Sequence, residues 1–133
     1  MIYYIGVGSS HPNGKYYIEK AYQELENAAN VQTLAKSPLY PNPAFGGKTL
    51  FGFLNSAFKI ETNLHPDTLW FLLYSIEIKL GRVRLVKNGP RTLDLDILYA
   101  SQGAMQTTYL KIPHPEFKNR PFALKPAAAI GFR

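Results

Sequence analysis

Two helical stripes, each set between β-rich runs, decide what this chain can fold into. Tyr17, Ala21, Tyr22, Leu25, Ala28 and Ala29 recur at three- and four-residue spacing, which predicts a helix over about residues 15 to 29. The second stripe is Leu69, Leu72, Leu73, Ile76 and Leu80; it begins behind Pro66, a residue suited to a first helical turn, and stops at Gly81. Ahead of the first helix, Met1 to Gly8 is apolar and closed by the turn formers Gly-Ser-Ser-His-Pro-Asn-Gly. Val31 to Tyr40 reads as a second strand, ended by Pro-Asn-Pro-Ala-Phe-Gly-Gly. Phe51 to Thr62 alternates, with Phe51, Phe53, Asn55 and Ala57 on one face and Leu54, Phe58 and Ile60 on the other, the core face. Leu93 to Ala100 makes the last main strand, a short extended piece precedes Pro113, and the remainder reads as irregular or weakly helical. The order strand, helix, strand, strand, helix, strand predicts an α+β ferredoxin-like sandwich, with both helices on one face of an antiparallel sheet and the other face free to bind.

With 133 residues and 46% hydrophobic content, the expectation is one domain over residues 1–133. No apolar run reaches the roughly 18 residues of a membrane span, and Met-Ile-Tyr-Tyr-Ile-Gly lacks the basic start of a signal peptide, so the expected location is cytoplasmic. The absence of cysteine removes disulfides and thiolate metal sites and leaves Asp, Glu and His, whose oxygens favour Mg²⁺ or Mn²⁺. The formal charge of +6 suits an anionic partner such as a nucleotide, a nucleic acid or an acidic lipid. Arg82, Arg84, Lys87, Arg91, Lys111, Lys118, Arg120, Lys125 and Arg133 all follow residue 80, which points to the C-terminal half, although a solvated surface accounts for any one of them alone.

The most informative stretch is Gly89-Pro90-Arg91-Thr92-Leu93-Asp94-Leu95-Asp96-Ile97-Leu98. Asp94 and Asp96 stand two apart on a strand and share a face, while Leu93, Leu95 and Ile97 anchor the other. Two close carboxylates repel, and a divalent cation that also takes phosphate oxygens relieves that repulsion. A bare Asp-x-Asp is more often an ordinary alternating strand with a wet face. The neighbours decide: Arg82, Arg84 and Arg91 bracket the preceding loop, and His114 and Arg120 follow, an inventory that would clamp a polyphosphate.

These residues, with Pro113-His114 and Lys118-Asn119-Arg120-Pro121-Phe122 downstream, resemble the signature of the 6-hydroxymethyl-7,8-dihydropterin pyrophosphokinase family. Gly8-Ser9, Tyr40, Pro43, Gly46, Phe53-Leu54-Asn55, Glu77 and Gly81-Arg82-Val83-Arg84 also fall where that family would place them, so the resemblance covers about residues 1 to 130. It implies the ferredoxin-like fold and transfer of the β,γ-diphosphate of ATP to the pterin hydroxymethyl, releasing AMP. It further implies two Mg²⁺ ions on Asp94 and Asp96, and catalytic contacts from Arg82 and Arg91 to the phosphates. Arg84 would assist nucleotide binding or loop closure, and Glu77, Ile97, His114 and Arg120 would line the ATP site. The pterin would stack between Phe53 and Phe122, its ring edge read by Asn55 and by the loop of Asn42, Pro43 and Phe45; packing alone is the other reading of both aromatics. Association with other folate enzymes is also implied.

Excluding water from such a transfer needs closing loops, and 41–50 and 85–90 are the expected ones. Departures from the family pattern are Ser10 for Asn, Asn42 for Thr, Lys87-Asn88 for Arg-Trp in a second loop one residue shorter, and an end at Arg133 where relatives continue. They motivate an alternative, a silent relative that binds pterin or nucleotide or partners another folate enzyme. An RNA-binding module shares the fold and is recommended by Phe51-Gly52-Phe53, but Thr49-Leu50 replaces the basic residue and glycine expected ahead of it, and the Asp pair would repel phosphate.

Overall fold

In a computed structural model of the chain, the described residues are 1–42, 53–81, 92–115 and 117–132. Strand β1 (Ile2–Ser9) is the centre of the sheet, and its neighbours β4 (Phe53–Thr62) and β5 (Asp94–Ala100) both run antiparallel to it. Strand β2 (Val31–Lys36) and the short β3 (Tyr40–Asn42) share the outer edge of β4. The order β2-β4-β1-β5 is that of the predicted sandwich.

The single strand expected from Val31 to Tyr40 is interrupted because Pro38 has no N–H to give to the ladder. Ser37 bridges the gap: its amide donates to the Ala57 carbonyl at 2.9 Å, and its hydroxyl accepts the Ala57 amide at the same distance.

Helices α1 (Gly14–Glu26) and α2 (Pro66–Lys79) cover one face. The buried stripe of α1 is Gly14, Ile18, Ala21 and Leu25; Tyr17, expected in it, instead packs edge-on against His11, and Ala28 and Ala29 follow the helix. Helix α2 starts at His65, whose Nδ1 accepts the Asp67 amide at 3.2 Å, and buries Leu69, Leu73 and Ile76. Gly81 ends it at φ +90°, a conformation that favours glycine. With Tyr3, Ile5, Val7, Phe58, Ile60, Leu93, Leu95 and Ile97 these side chains form the main core. The even face of β4 is therefore the core face, as its alternation predicts.

The opposite face is not wholly free. After the hairpin of β6 (Met105–Gln106) and β7 (Lys111–Ile112) and a 3-10 turn at Phe117–Asn119, helix α3 (Pro121–Ala129) lies across it. Ala127 and the turn's Phe117 cover Tyr4, Ala57 and Leu98 in a second, smaller core. A β-bulge enables this. Ile97 pairs with Ile5 and Tyr99 with Tyr4, so Leu98 is the extra residue and packs on the α3 side. No described helix is long and apolar enough to cross a membrane.

Candidate active site

The strand register brings the predicted side chains together toward the Ser9 end of this sheet face. Gly8 stands between Asn55 on β4 and Asp94 on β5; Gly6 stands between Ala57 and Asp96. The two glycines alternate on one face of the central strand, so the floor between the pairs carries no side chain of its own. Its space is used by neighbours. A Cβ on Gly8 would sit 3.1 Å from Asn55 Nδ2, and one on Gly6 would sit 3.0 Å from the Leu98 side chain. Gly8 belongs to the Gly8-Ser9 pair of the family pattern, whereas Gly6 did not stand out in the sequence as part of a site. The available signal was the pair of glycines at a spacing of two inside an otherwise apolar strand.

On the β4 side, β3 pairs Asn42 with Phe53 and Tyr40 with Asn55. The Asn42 side-chain amide donates to Asn55 Oδ1, which fixes the two predicted pterin readers to each other. Asn55 is buried and Phe53 half-buried. Pro43 and Phe45, with most of the first closing loop, lie outside the described residues.

On the β5 side, Asp94 is half-buried and Asp96 exposed. Between them, the Leu95 amide donates to Glu77 Oε2 at 2.6 Å, and Glu77 itself is only 4% exposed. Glu77 is thus a buried anchor for the strand that carries both aspartates. The Ile97 side chain is buried in the main core on the helix-covered side, so a nucleotide contact from Ile97 would come from its main chain. Arg82, Arg84 and Arg91, and the second closing loop with Lys87 and Asn88, lie outside the described residues.

His114 is brought to the same strand. Its amide donates to the Leu98 carbonyl at 2.9 Å, and its carbonyl accepts the Phe117 amide at 3.0 Å, so the segment after Pro113 is fastened beside β5. Arg120 is the N-cap of α3, and its guanidinium lies 5.7 Å from the ring centre of Phe122, which is 43% exposed. Lys125, one turn on, lies over the ring of Tyr40 at 5.2 Å and ties α3 to β3.

Among the described residues no third Asp, Glu or His joins the aspartate pair as a metal cage. Two carboxylates on a partly open face fit an ion such as Mg²⁺, which keeps several waters and takes phosphate oxygens rather than a full protein shell. A concavity lined by Met1, Asn30, Gln32, Glu61 and Asn63 is at the far end of the sheet and shares no residue with this constellation.

The family model of 7,8-dihydro-6-hydroxymethylpterin-pyrophosphokinase matches residues 4–131. The chain belongs to this family. It is 39% identical over 129 residues to the 2-amino-4-hydroxy-6-hydroxymethyldihydropteridine pyrophosphokinase of Bacillus subtilis, covering 97% of this chain and 77% of that one. It is 37% identical over 127 residues to the folic acid synthesis protein fol1 of Pneumocystis carinii, covering 96% of this chain but 17% of the relative. The bifunctional protein FolKE of Lactococcus lactis is 35% identical over 123 residues, with 92% of this chain and 35% of the relative covered. The pyrophosphokinase assignment confirms the fold and family read from the signature. Of the residues that signature singles out, the described part gathers Asp94, Asp96, Asn55, Asn42, Phe53 and Gly8 on one end of one face, with Glu77 directly behind them.

Proposed function

We propose that the protein transfers the β,γ-diphosphate of ATP to 6-hydroxymethyl-7,8-dihydropterin, giving AMP and the pterin diphosphate of folate synthesis. The observation that carries the reading is the row Asn55–Gly8–Asp94, which sets a hydrogen-bonding amide and a metal-binding carboxylate on opposite sides of a bare strand. A flat heterocycle reaches such an amide without meeting a side chain from the strand between. Asn55, held by Asn42, reads the pterin ring edge, and Phe53, with Phe122, supplies apolar contact to its faces.

Asp94 and Asp96 would hold Mg²⁺, two ions in this reading, which supplies charge neutralisation on the triphosphate when bound. The chain's own part is placement. Glu77 fixes the strand, and His114 and Arg120 hold the nucleotide from the β5 side, with Arg82, Arg84 and Arg91 completing the cationic inventory. Positioning and fixed charge are most of what this chemistry asks of a protein. Closure of 41–50 and 85–90 excludes water from the transfer. The reaction is placed in the cytoplasm, and association with other enzymes of folate synthesis is supported by the longer relatives that contain this region.

Incubation with Mg²⁺, ATP and the hydroxymethyl dihydropterin, followed by chromatography, tests the reading. AMP and pterin diphosphate should appear in equal amounts. Binding of both substrates without AMP would favour the silent-relative alternative.

A further inference from the structure

The Asn55 side chain is 9% exposed, and its carboxamide has a direction. Its Oδ1 accepts from the side-chain amide of Asn42 on β3. Its Nδ2 leans the other way, 3.1 Å from the place a Cβ on Gly8 would take. Because β4 separates β3 from β1, the oxygen faces the outer edge of the sheet and the N–H₂ faces the bare floor. Among the described residues none accepts from Nδ2. A buried donor is costly to leave without an acceptor, and this one cannot turn away from the floor without breaking the bond to Asn42. Strand β3 is held in place without the Asn42 side chain. Asn42 pairs with Phe53 and Tyr40 with Asn55 through the main chain, and Lys125 of α3 lies over the Tyr40 ring at 5.2 Å. The side chain at position 42 is therefore left to act on Asn55 alone.

We propose that Asn42 is a positioning residue that fixes the Asn55 carboxamide with its N–H₂ over Gly8, so that the site selects a ligand presenting a hydrogen-bond acceptor there. The inference rests on the reading of this floor as the pterin site and adds which groups of the ring can meet it. A dihydropterin carries acceptors, its carbonyl oxygen and its unprotonated ring nitrogens, and donors, its exocyclic amino group and its ring N–H groups. Only an acceptor satisfies Nδ2. A ring turned to lay its amino group over Gly8 sets donor against donor and leaves both unpaired, so the wrong orientation is penalised rather than merely less favoured. Fixing one orientation of the ring also fixes where its hydroxymethyl group points, which an in-line transfer requires.

Nuclear magnetic resonance on the full chain, with kinetics on two variants, tests the proposal. In the parent without ligand, the Asn55 side-chain N–H₂ protons should show a nuclear Overhauser contact to the Gly8 α protons, and 6-hydroxymethyl-7,8-dihydropterin should move those N–H₂ signals downfield. Asn42→Asp sets a carboxylate against Oδ1, so the carboxamide should turn over and the contact to Gly8 should vanish. The pterin KM should then rise about tenfold or more, while the ATP KM and the melting temperature hold. Asn42→Thr restores a donor and should bring the pterin KM back to within about threefold of the parent. The Gly8 contact in the parent decides the matter if the aspartate variant fails to fold. A reversed pair in the parent, with Asn55 donating to Asn42 and no contact to Gly8, would overturn this inference alone and leave product formation untouched. An aspartate variant with the parental pterin KM, or with both KM values raised equally, would overturn it as well. A parent that shows the contact but whose Asn55 signals ignore the pterin would overturn it through the reading of the site on which it rests.

Discussion

The Glu77 carboxylate accepts the main-chain amide of Leu95 at 2.6 Å, so helix α2 holds the one residue that separates Asp94 from Asp96. Strand β5 is an edge strand among the described residues, with β1 on its other side. Its outward amides have no neighbouring strand to pair with, and a buried acceptor takes the one that matters most for the aspartates' spacing.

Glu77→Ala should therefore lower stability by about 1–3 kcal/mol, the cost of leaving a buried amide unsatisfied, and should slow transfer as well. Glu77→Gln keeps an oxygen at the same reach and should recover most of the stability. Thermal melts and initial rates on both variants check this; an alanine variant that melts with the parent would contradict the anchoring role.

Gly8→Ala addresses the floor of the site. Its methyl would press on the Asn55 amide at 3.1 Å, and Asn55 cannot move away without disturbing Asn42. The expected result is a pterin KM raised about fivefold, equivalent to about 1 kcal/mol, with the ATP KM and the melting temperature nearly unchanged. Equal changes in both KM values would show that the substitution acts on the sheet as a whole.

Tyr3 is fully buried and its hydroxyl has no hydrogen-bond partner among the described residues. Burial pushes its pKa up from 10.0 because the charged form is the more costly one to desolvate. The sign follows. What the neutral hydroxyl contributes is intact below the unfolded value and is lost as pH rises from there through the raised folded value. Tyr3→Phe should leave stability at pH 7 unchanged or raise it by about 1 kcal/mol, and should flatten the alkaline decline. Melts at neutral pH and above the tyrosine range provide the check; a steeper decline in the variant would contradict it.

Where periodicity was strong, the sequence foretold the fold. The period of two in β4 put Phe58 and Ile60 in the core and Phe53 and Asn55 on the site face, and the stripe of α2 gave Leu69, Leu73 and Ile76. Helix α3 escaped that reading because Pro121, Pro126 and a run of alanines offer no apolar and polar contrast, and its burial comes from the second core rather than from a stripe. The bulge at Leu98 and the break at Ser37 are likewise tertiary, set by what lies across the sheet. For the site, the Asp pair was legible only from its spacing together with its neighbours, Arg82, Arg84 and Arg91 before it and His114 and Arg120 after it. The link from Glu77 to Leu95 and the bare floor at Gly6 and Gly8 required the register between strands that lie far apart in the chain.

The claim that the Asp94 and Asp96 face is where the diphosphate is transferred is tested most directly by single-turnover AMP formation in Asp94→Asn, Asp96→Asn. Both asparagines preserve shape, so the melting temperature should hold, and loss of the metal-binding charge should reduce the rate by about a thousandfold or more. A folded double variant that forms AMP and pterin diphosphate within about tenfold of the parent rate, a difference of only about 1.4 kcal/mol, would contradict the assignment.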